Sequence, residues 1–475
     1  MADYDIAKYS CLKEIPLNPP CEGGLREEVF RDILNTSNHR IRFPLHKGVR
    51  GISKFPIAHL SQTYFMTYES IKNCRACGSS NLQTIVEFGI TPLADALVKA
   101  ENLDQPEIKV PLTLAFCPES GLVQILETVP PEILFCRDYP YFSSVSPMLM
   151  KHFGDSAQTL INTRGLTDKS LVIEAASNDG YMLNTFVQSG IPVLGIDPAE
   201  GPANRAIERG INTLNTFFTE ELASTLKSEG KQADVFLANN VLAHVPDLNG
   251  FVRGIKALLK PDGVAVIECP YVVDLVDHGE FDTIYHQHLC YFSVTALDRL
   301  FRSHSLFLNN VIRTTIHGGS LRLFVEPQEN VQTGVTDLLK MEIDRKVDRI
   351  DYYLDFADRV NQIKSELMTI LTDLKSKGKS IVGYGAAAKA TTLLAYFGID
   401  TKILDYVADL NQFKQGRFMG GNHLPIVAPT KILEDQPDYM LVLAWNFADE
   451  IIKQQSEFQS KGGKFIVPIP SPKVV

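Results

Sequence analysis

The chain has 475 residues, a formal net charge of −10, 45% apolar and 21% charged residues. That length exceeds the ~250–300 residues one core can serve, so two to four domains of ordinary soluble composition are expected. The acidic balance disfavours non-specific nucleic-acid binding, no run reaches the ~20 apolar residues of a membrane helix, and the acidic start is unlike a targeting peptide.

A cytoplasmic enzyme or binding protein is therefore expected, with neither nucleic acid nor membrane as partner. Eight cysteines in such a length are too sparse for a disulfide scaffold. Residues 1–73 show no clean periodicity. Their basic run (Arg40, Arg42, His46, Lys47, Arg50, Lys54) reads as a solvated arm, or as a contact for phosphate or a partner.

Next comes Cys74-Arg-Ala-Cys77-Gly78, and with 39 residues between it and Cys77 comes Cys117-Pro-Glu-Ser120-Gly121. Two Cys-x-x-Cys knuckles would supply four thiolates to one tetrahedral zinc. Here the fourth position is Ser120, whose hydroxyl is a poor zinc ligand. Three thiolates plus water or another residue, or loss of the metal, are the alternatives. Asp138–Ser146 is turn-rich and could present Tyr139, Tyr141 or Ser143 to a ligand.

A βαβ pattern follows. Leu171–Glu174 reads as a buried parallel strand, then comes the turn Ala175-Ala-Ser-Asn-Asp-Gly180, and a helix is expected from Tyr181. A second strand, Val193–Ile196, ends in Asp197. A carboxylate there suits the two hydroxyls of an adenosyl ribose, with the loop backbone approaching the ligand at a helix N-terminus. Gly-x-Gly-x-x-Gly is absent, which favours S-adenosylmethionine over a ligand carrying a pyrophosphate. A further strand, Ala233–Asn240, runs into Val241-Leu-Ala-His244, and Val264–Glu268 leads to Phe281–Ser293. That stretch crowds Tyr285, His286 and His288 just beyond a buried strand, where open α/β sheets place their chemistry.

Ile316-His317-Gly-Gly-Ser320 carries paired glycines that would let backbone approach a ligand. Residues 335–377 have helical period and connect domains. A second, shorter Rossmann-like unit starts at Ser380–Lys389, where glycines followed by Lys389 describe an anion cradle fit for a diphosphate. Strands are expected at Ile403–Val407 and Tyr439–Leu443.

These motifs resemble one family: Cys-x-x-Cys-Gly, Gly121-Leu-Val-Gln124, Glu174-x-x-Ser-Asn-Asp-Gly-Tyr181, Ala238–Val245, Tyr285-His-x-His288, His317-Gly-Gly-Ser-Leu-Arg322 and Tyr384-Gly-Ala-Ala-Ala-Lys389. It is the sugar C-methyltransferases that methylate carbon 3 of nucleotide-linked 4-keto-deoxysugars. The resemblance covers about residues 74–475. Residues 1–73 lie outside it as an N-terminal extension; it implies a zinc-ribbon-like module (74–150), a central α/β, Rossmann-like class I methyltransferase domain (151–330) and a C-terminal Rossmann-like sugar-nucleotide domain (331–475).

Cofactor contacts are then expected from Glu174, Ser177, Asn178, Gly180, Asp197, Asn239 and Asn240. Substrate contacts are expected from Tyr139, Tyr141, Ser143, His286, His317, Arg322, Tyr384 and Lys389, and metal ligands from Cys74, Cys77 and Cys117. The chain departs from the family at Ser120 (usually cysteine), Ala176 (usually glycine) and Gln287 (usually glutamate).

The expected chemistry removes the carbon 3 proton beside a ketone and lets the enolate attack a sulfonium methyl. His288 is the expected base, since a neutral imidazole with a pKa of ~6.5 is available near neutrality. Tyr285 or His244 would donate to the enolate oxygen, and Gln287 could only orient. An O- or N-methyltransferase on a related sugar, or a non-catalytic binding homologue, is the alternative. A nicotinamide enzyme built on Gly383–Lys389 fits less well, because the first loop lacks diphosphate glycines.

Overall fold

The computed structural model of the protein describes residues 68–136 and 142–475. Tyr139, Tyr141 and residues 1–67 therefore lie outside the described residues. Short apolar runs buried on both faces build a seven-stranded sheet, as expected of parallel strands covered by helices. In spatial order it runs Phe307–Thr314, Ser320–Glu326, Leu259–Pro270, Ala233–Asn239, Val172–Ala175, Val193–Ile196, Thr213–Leu214. Neighbours are parallel except where Ser320–Glu326 pairs antiparallel with both of its own. Chain order reverses between Val172–Ala175 and Ala233–Asn239, which opens a crevice at their carboxyl ends.

The helix Pro147–Arg164 covers one face of this sheet. Its start is set by Pro147 and by the Ser146 hydroxyl, which accepts from Leu149 N, and its end by Gly165 at φ +61°. The expected helix after the first strand starts slightly later, at Leu183. The charged segment forms helices Thr333–Asp344 and Ile350–Ser376. Buried Glu342 ties the first of them to the helix Val294–Ser303. Its carboxylate accepts from Val294 N (2.7 Å), Thr295 N (2.8 Å), Thr295 Oγ1 (2.6 Å) and Tyr271 OH (2.8 Å).

A six-stranded sheet made from Ile381–Tyr384, Val407–Ala408, Ile426–Val427, Tyr439–Val442, Lys464–Val467 and Lys473–Val474 forms the C-terminal layer. The strand expected at Ile403–Val407 is only Val407–Ala408. Ile403 and Leu404 instead donate to the Asp400 carbonyl in a turn.

A four-stranded antiparallel sheet carries the cysteine knuckles on Gln83–Pro92, Lys109–Phe116 and Val123–Ile125. Its fourth strand is Cys290–Tyr291, which arrives from the middle of the chain and pairs with Gln124 and Val123. No periodicity could announce a two-residue strand paired across such a distance. No helix among the described residues is long and apolar enough to cross a membrane.

Candidate active site

Phe281–Ser293 is gripped from two sides. Toward the N-terminal sheet, Cys290–Tyr291 supplies a strand and His286 Nε2 lies 2.9 Å from the Pro111 carbonyl. Toward the C-terminal layer, Phe281 stacks on Phe397 at 5.0 Å and Thr392 Oγ1 donates to the Ile284 carbonyl at 2.7 Å. The Trp445 indole N–H donates to Asp282 at 2.7 Å. A loop anchored at both ends holds the side chains between its anchors in fixed positions.

Between those anchors His288 Nδ1 lies 2.8 Å from the Thr283 carbonyl, which can only accept, so Nδ1 carries the hydrogen. The Nε2 lone pair then faces the Tyr285 hydroxyl at 3.1 Å. His244 stands beside it, with ring centroids 4.9 Å apart, and directs its own Nδ1–H at the Gln287 carbonyl at 2.5 Å. Burial lowers the His244 pKa, which favours the neutral ring. Backbone hydrogen bonds to Gln287 and Asn240 oppose that lowering.

The crevice loops bring together Glu174, Ser177, Asn178, Asp197, Asn239 and Asn240. Asp197 accepts from Asn178 N and Ala199 N, both at 2.8 Å, and Asn239 Nδ2 donates to Glu174 at 3.0 Å. Burial pushes the Asp197 carboxyl up to about 6 and that of Glu174 up to about 8. Glu174 Oε2, Ser177 Oγ and Asn240 Oδ1 are buried without a partner among the described residues. Buried polar atoms demand partners, so this cluster fits a polar ligand such as S-adenosylmethionine.

Ala176, Asn178 and Asn240 hold positive φ (+54°, +49°, +54°), and Ala176 takes a conformation that glycine adopts more cheaply. Gly180, at φ +74°, serves packing, because an added Cβ would lie 2.2 Å from Ile211 Cδ1. Ser143 donates its backbone N–H to Asn178 Oδ1 at 2.9 Å, which puts this segment against the cofactor loop.

Because the Glu174 carboxyl titrates above its ordinary 4.5, the folded state disfavours its charge. Ligand-free protein should lose stability as pH rises from about 4.5 toward 8, by up to about 1.4 kcal/mol per unit. Glu174→Gln should flatten that slope in thermal melts between pH 5 and 9.

The expected substrate contacts fall in different surroundings. His286 is 1% exposed and packs on the N-terminal sheet, where burial lowers its pKa. Tyr384 is 3% exposed in the C-terminal core. Arg322 is committed to its cross-strand neighbour Glu268 at 2.9 Å and to His152 at 2.9 Å, at the edge of a groove of about 380 Å³. Lys389 lies over the Trp445 ring at 4.1 Å, and burial lowers its pKa against the pull of Asp282 and Glu280. Its ammonium thus sits where the C-terminal layer meets the loop. His317 lies in the turn Ile316–Gly318, its side chain outside the described atoms. The paired glycines admit carboxylates: a Cβ on Gly318 would meet Glu280 at 2.6 Å, and one on Gly319 would meet Asp274 at 2.3 Å.

The three cysteines do converge. Their sulfurs lie within 4.8 Å of one another, with Cys77 and Cys117 at 3.6 Å, near the ~3.8 Å edge of a zinc tetrahedron with 2.3 Å Zn–S bonds. Such a donor set fits a structural zinc ion.

The seven-stranded order, the crevice cluster and the histidine loop define an S-adenosylmethionine-dependent methyltransferase. Family models agree along the chain, with a zinc binding domain over residues 74–135, a methyltransferase domain over 153–306 and a C-methyltransferase C-terminal domain over 315–470. C-methyltransferase NovU of Streptomyces niveus is 35% identical over 408 residues, which cover 85% of this chain and 97% of that one. The chain belongs to this C-methyltransferase family. A ubiquinone biosynthesis O-methyltransferase of Azorhizobium caulinodans is 27% identical over 127 residues, 26% of this chain and 47% of its own. The 1,6-didemethyltoxoflavin-N1-methyltransferase of Burkholderia thailandensis, solved with S-adenosylhomocysteine, aligns with a TM-score of 0.29 at 19% identity, over 37% of this chain and 78% of that one.

Proposed function

We propose that the protein methylates carbon 3 of a nucleotide-linked 4-keto-deoxysugar through an enolate. The observation that carries this reading is the His288–Tyr285 pair, an imidazole nitrogen kept in its acceptor form beside a phenol at 3.1 Å. C-methylation needs a base for a carbon acid and a donor for the oxygen that gains charge. His288 Nε2 removes the carbon 3 proton. The Tyr285 hydroxyl, by rotation about its C–O bond, turns its hydrogen to the oxygen on carbon 4.

S-adenosylmethionine, when bound, supplies an electrophilic methyl group. Glu174, Ser177, Asn178, Asp197, Asn239 and Asn240 would hold the cofactor, and the doubly anchored loop would position the sugar carbon for methylation. Gln287 contributes its backbone carbonyl, which fixes His244. The sugar substrate is supported by the motif series from Cys74 to Lys389. Localisation to the cytoplasm and the C-terminal layer as sugar-nucleotide domain remain part of the same proposal.

The test is exchange. With S-adenosylhomocysteine in place of the methyl donor, a 4-keto-sugar nucleotide deuterated at carbon 3 should lose its label to water. Methyl transfer to oxygen or nitrogen with the label retained would refute the carbon-acid reading.

A further inference from the structure

The two knuckles fold alike although one lacks its second cysteine. In the first, Cys74 N donates to the Ser79 carbonyl (2.8 Å), Gly78 N donates to the Cys74 carbonyl (2.9 Å), and Gly78 has φ +73°. In the second, Cys117 N donates to the Leu122 carbonyl (2.9 Å), Gly121 N donates to the Cys117 carbonyl (2.8 Å), and Gly121 has φ +74°. Ser120 thus occupies the place that Cys77 holds in the first knuckle.

Its side chain follows the same symmetry. Ser120 Oγ lies 3.3 Å from Cys74 Sγ, as Cys77 Sγ lies 3.6 Å from Cys117 Sγ, and it also faces the Cys117 thiol. A tetrahedral zinc with bonds of 2.3 Å to sulfur and about 2.0 Å to oxygen has an S–O edge of about 3.5 Å. The Leu122 N–H donates to this oxygen at 3.2 Å, an interaction that supports a donor atom gathering negative charge. Ser120 is 4% exposed, so the position belongs to a closed, structural site.

We propose that Ser120 Oγ is the fourth zinc ligand, giving this chain a three-sulfur, one-oxygen site. The proposal rests on zinc occupying the three-cysteine cluster. Glu119 is the competing oxygen. Its Oε2 lies 3.4 Å from Cys117 Sγ, but its Oε1 is held outward by Asn81 Nδ2 at 3.0 Å, and it falls outside the atoms gathered within 4.8 Å of one another.

The full chain is purified, its zinc content measured, and cobalt(II) then exchanged into the site. Near-stoichiometric zinc and tetrahedral cobalt bands with three-thiolate charge transfer are expected. Ser120→Ala should shift the visible bands and weaken metal affinity at least tenfold. Ser120→Cys should raise charge-transfer intensity by about one third, as thiolates go from three to four, and tighten binding. Glu119→Gln should leave the bands and the affinity unchanged. A chain that neither carries zinc nor binds cobalt would refute occupancy itself. With metal bound, bands unmoved by Ser120→Ala, or moved by Glu119→Gln, would overturn the ligand assignment alone. Ser120→Cys keeps the assignment open to refutation if the alanine variant misfolds, since unchanged charge transfer in it would also refute the position.

Discussion

His288→Asn should abolish methyl transfer and leave S-adenosylhomocysteine binding within about twofold. A positioned general base contributes roughly 10²–10⁴ in rate, and the carbon acid leaves no easier route, so a loss near the upper figure is expected. Asparagine can still donate to the Thr283 carbonyl, so the loop should keep its course while the acceptor nitrogen is lost. Deuterium wash-out from carbon 3 should disappear in parallel. Tyr285→Phe should slow turnover less, by a factor expected from one lost oxyanion donor, about 10²–10³. Wash-out retained in the His288 variant would make His244, whose ring centroid lies 4.9 Å away, the base instead.

Asp282→Ala should cost about 3 kcal/mol of stability, because it removes the buried acceptor of Trp445 and the main carboxylate compensating Lys389. Asp282 is fully buried, and burial raises its pKa against the opposing influence of Lys389. Asp282→Asn loses the charge but keeps an oxygen for the indole N–H, so its cost should be smaller by the ~1 kcal/mol of that hydrogen bond. Urea titrations of the two variants separate these effects. Activity should fall more than stability alone predicts in the alanine variant, since the same carboxylate anchors the loop carrying Tyr285 and His288. Equal costs for the two substitutions would show that the hydrogen bond to Trp445 plays no part, since both remove the charge.

The methyltransferase strands were legible because buried parallel strands are short apolar runs with breakers between them, as at Val172–Ala175 and Val193–Ile196. The knuckles were legible because their glycines and cysteine spacing are local. Long-range pairing was not. His286 and His288 are two residues apart in one motif, yet one packs against Pro111 and the other faces the site, a difference set by which sheet takes the strand that follows. The surroundings of Lys389 are long-range in the same way. A lysine after a glycine turn reads as an anion cradle until Asp282 and Trp445, distant in sequence, are seen to surround it. Likewise Ser120 reads as a lost ligand when judged by residue type. Its neighbours give that oxygen a position, which composition cannot convey.

Trp445 is the chain's one tryptophan. It sits where the C-terminal layer meets the histidine loop, with its N–H on a carboxylate and an ammonium above its face. Both neighbours perturb indole emission, so the protein carries a native optical reporter at the contact its catalysis depends on. If the proposed sugar nucleotide docks between layer and loop, that single fluorophore would time the event, without labels and independently of turnover.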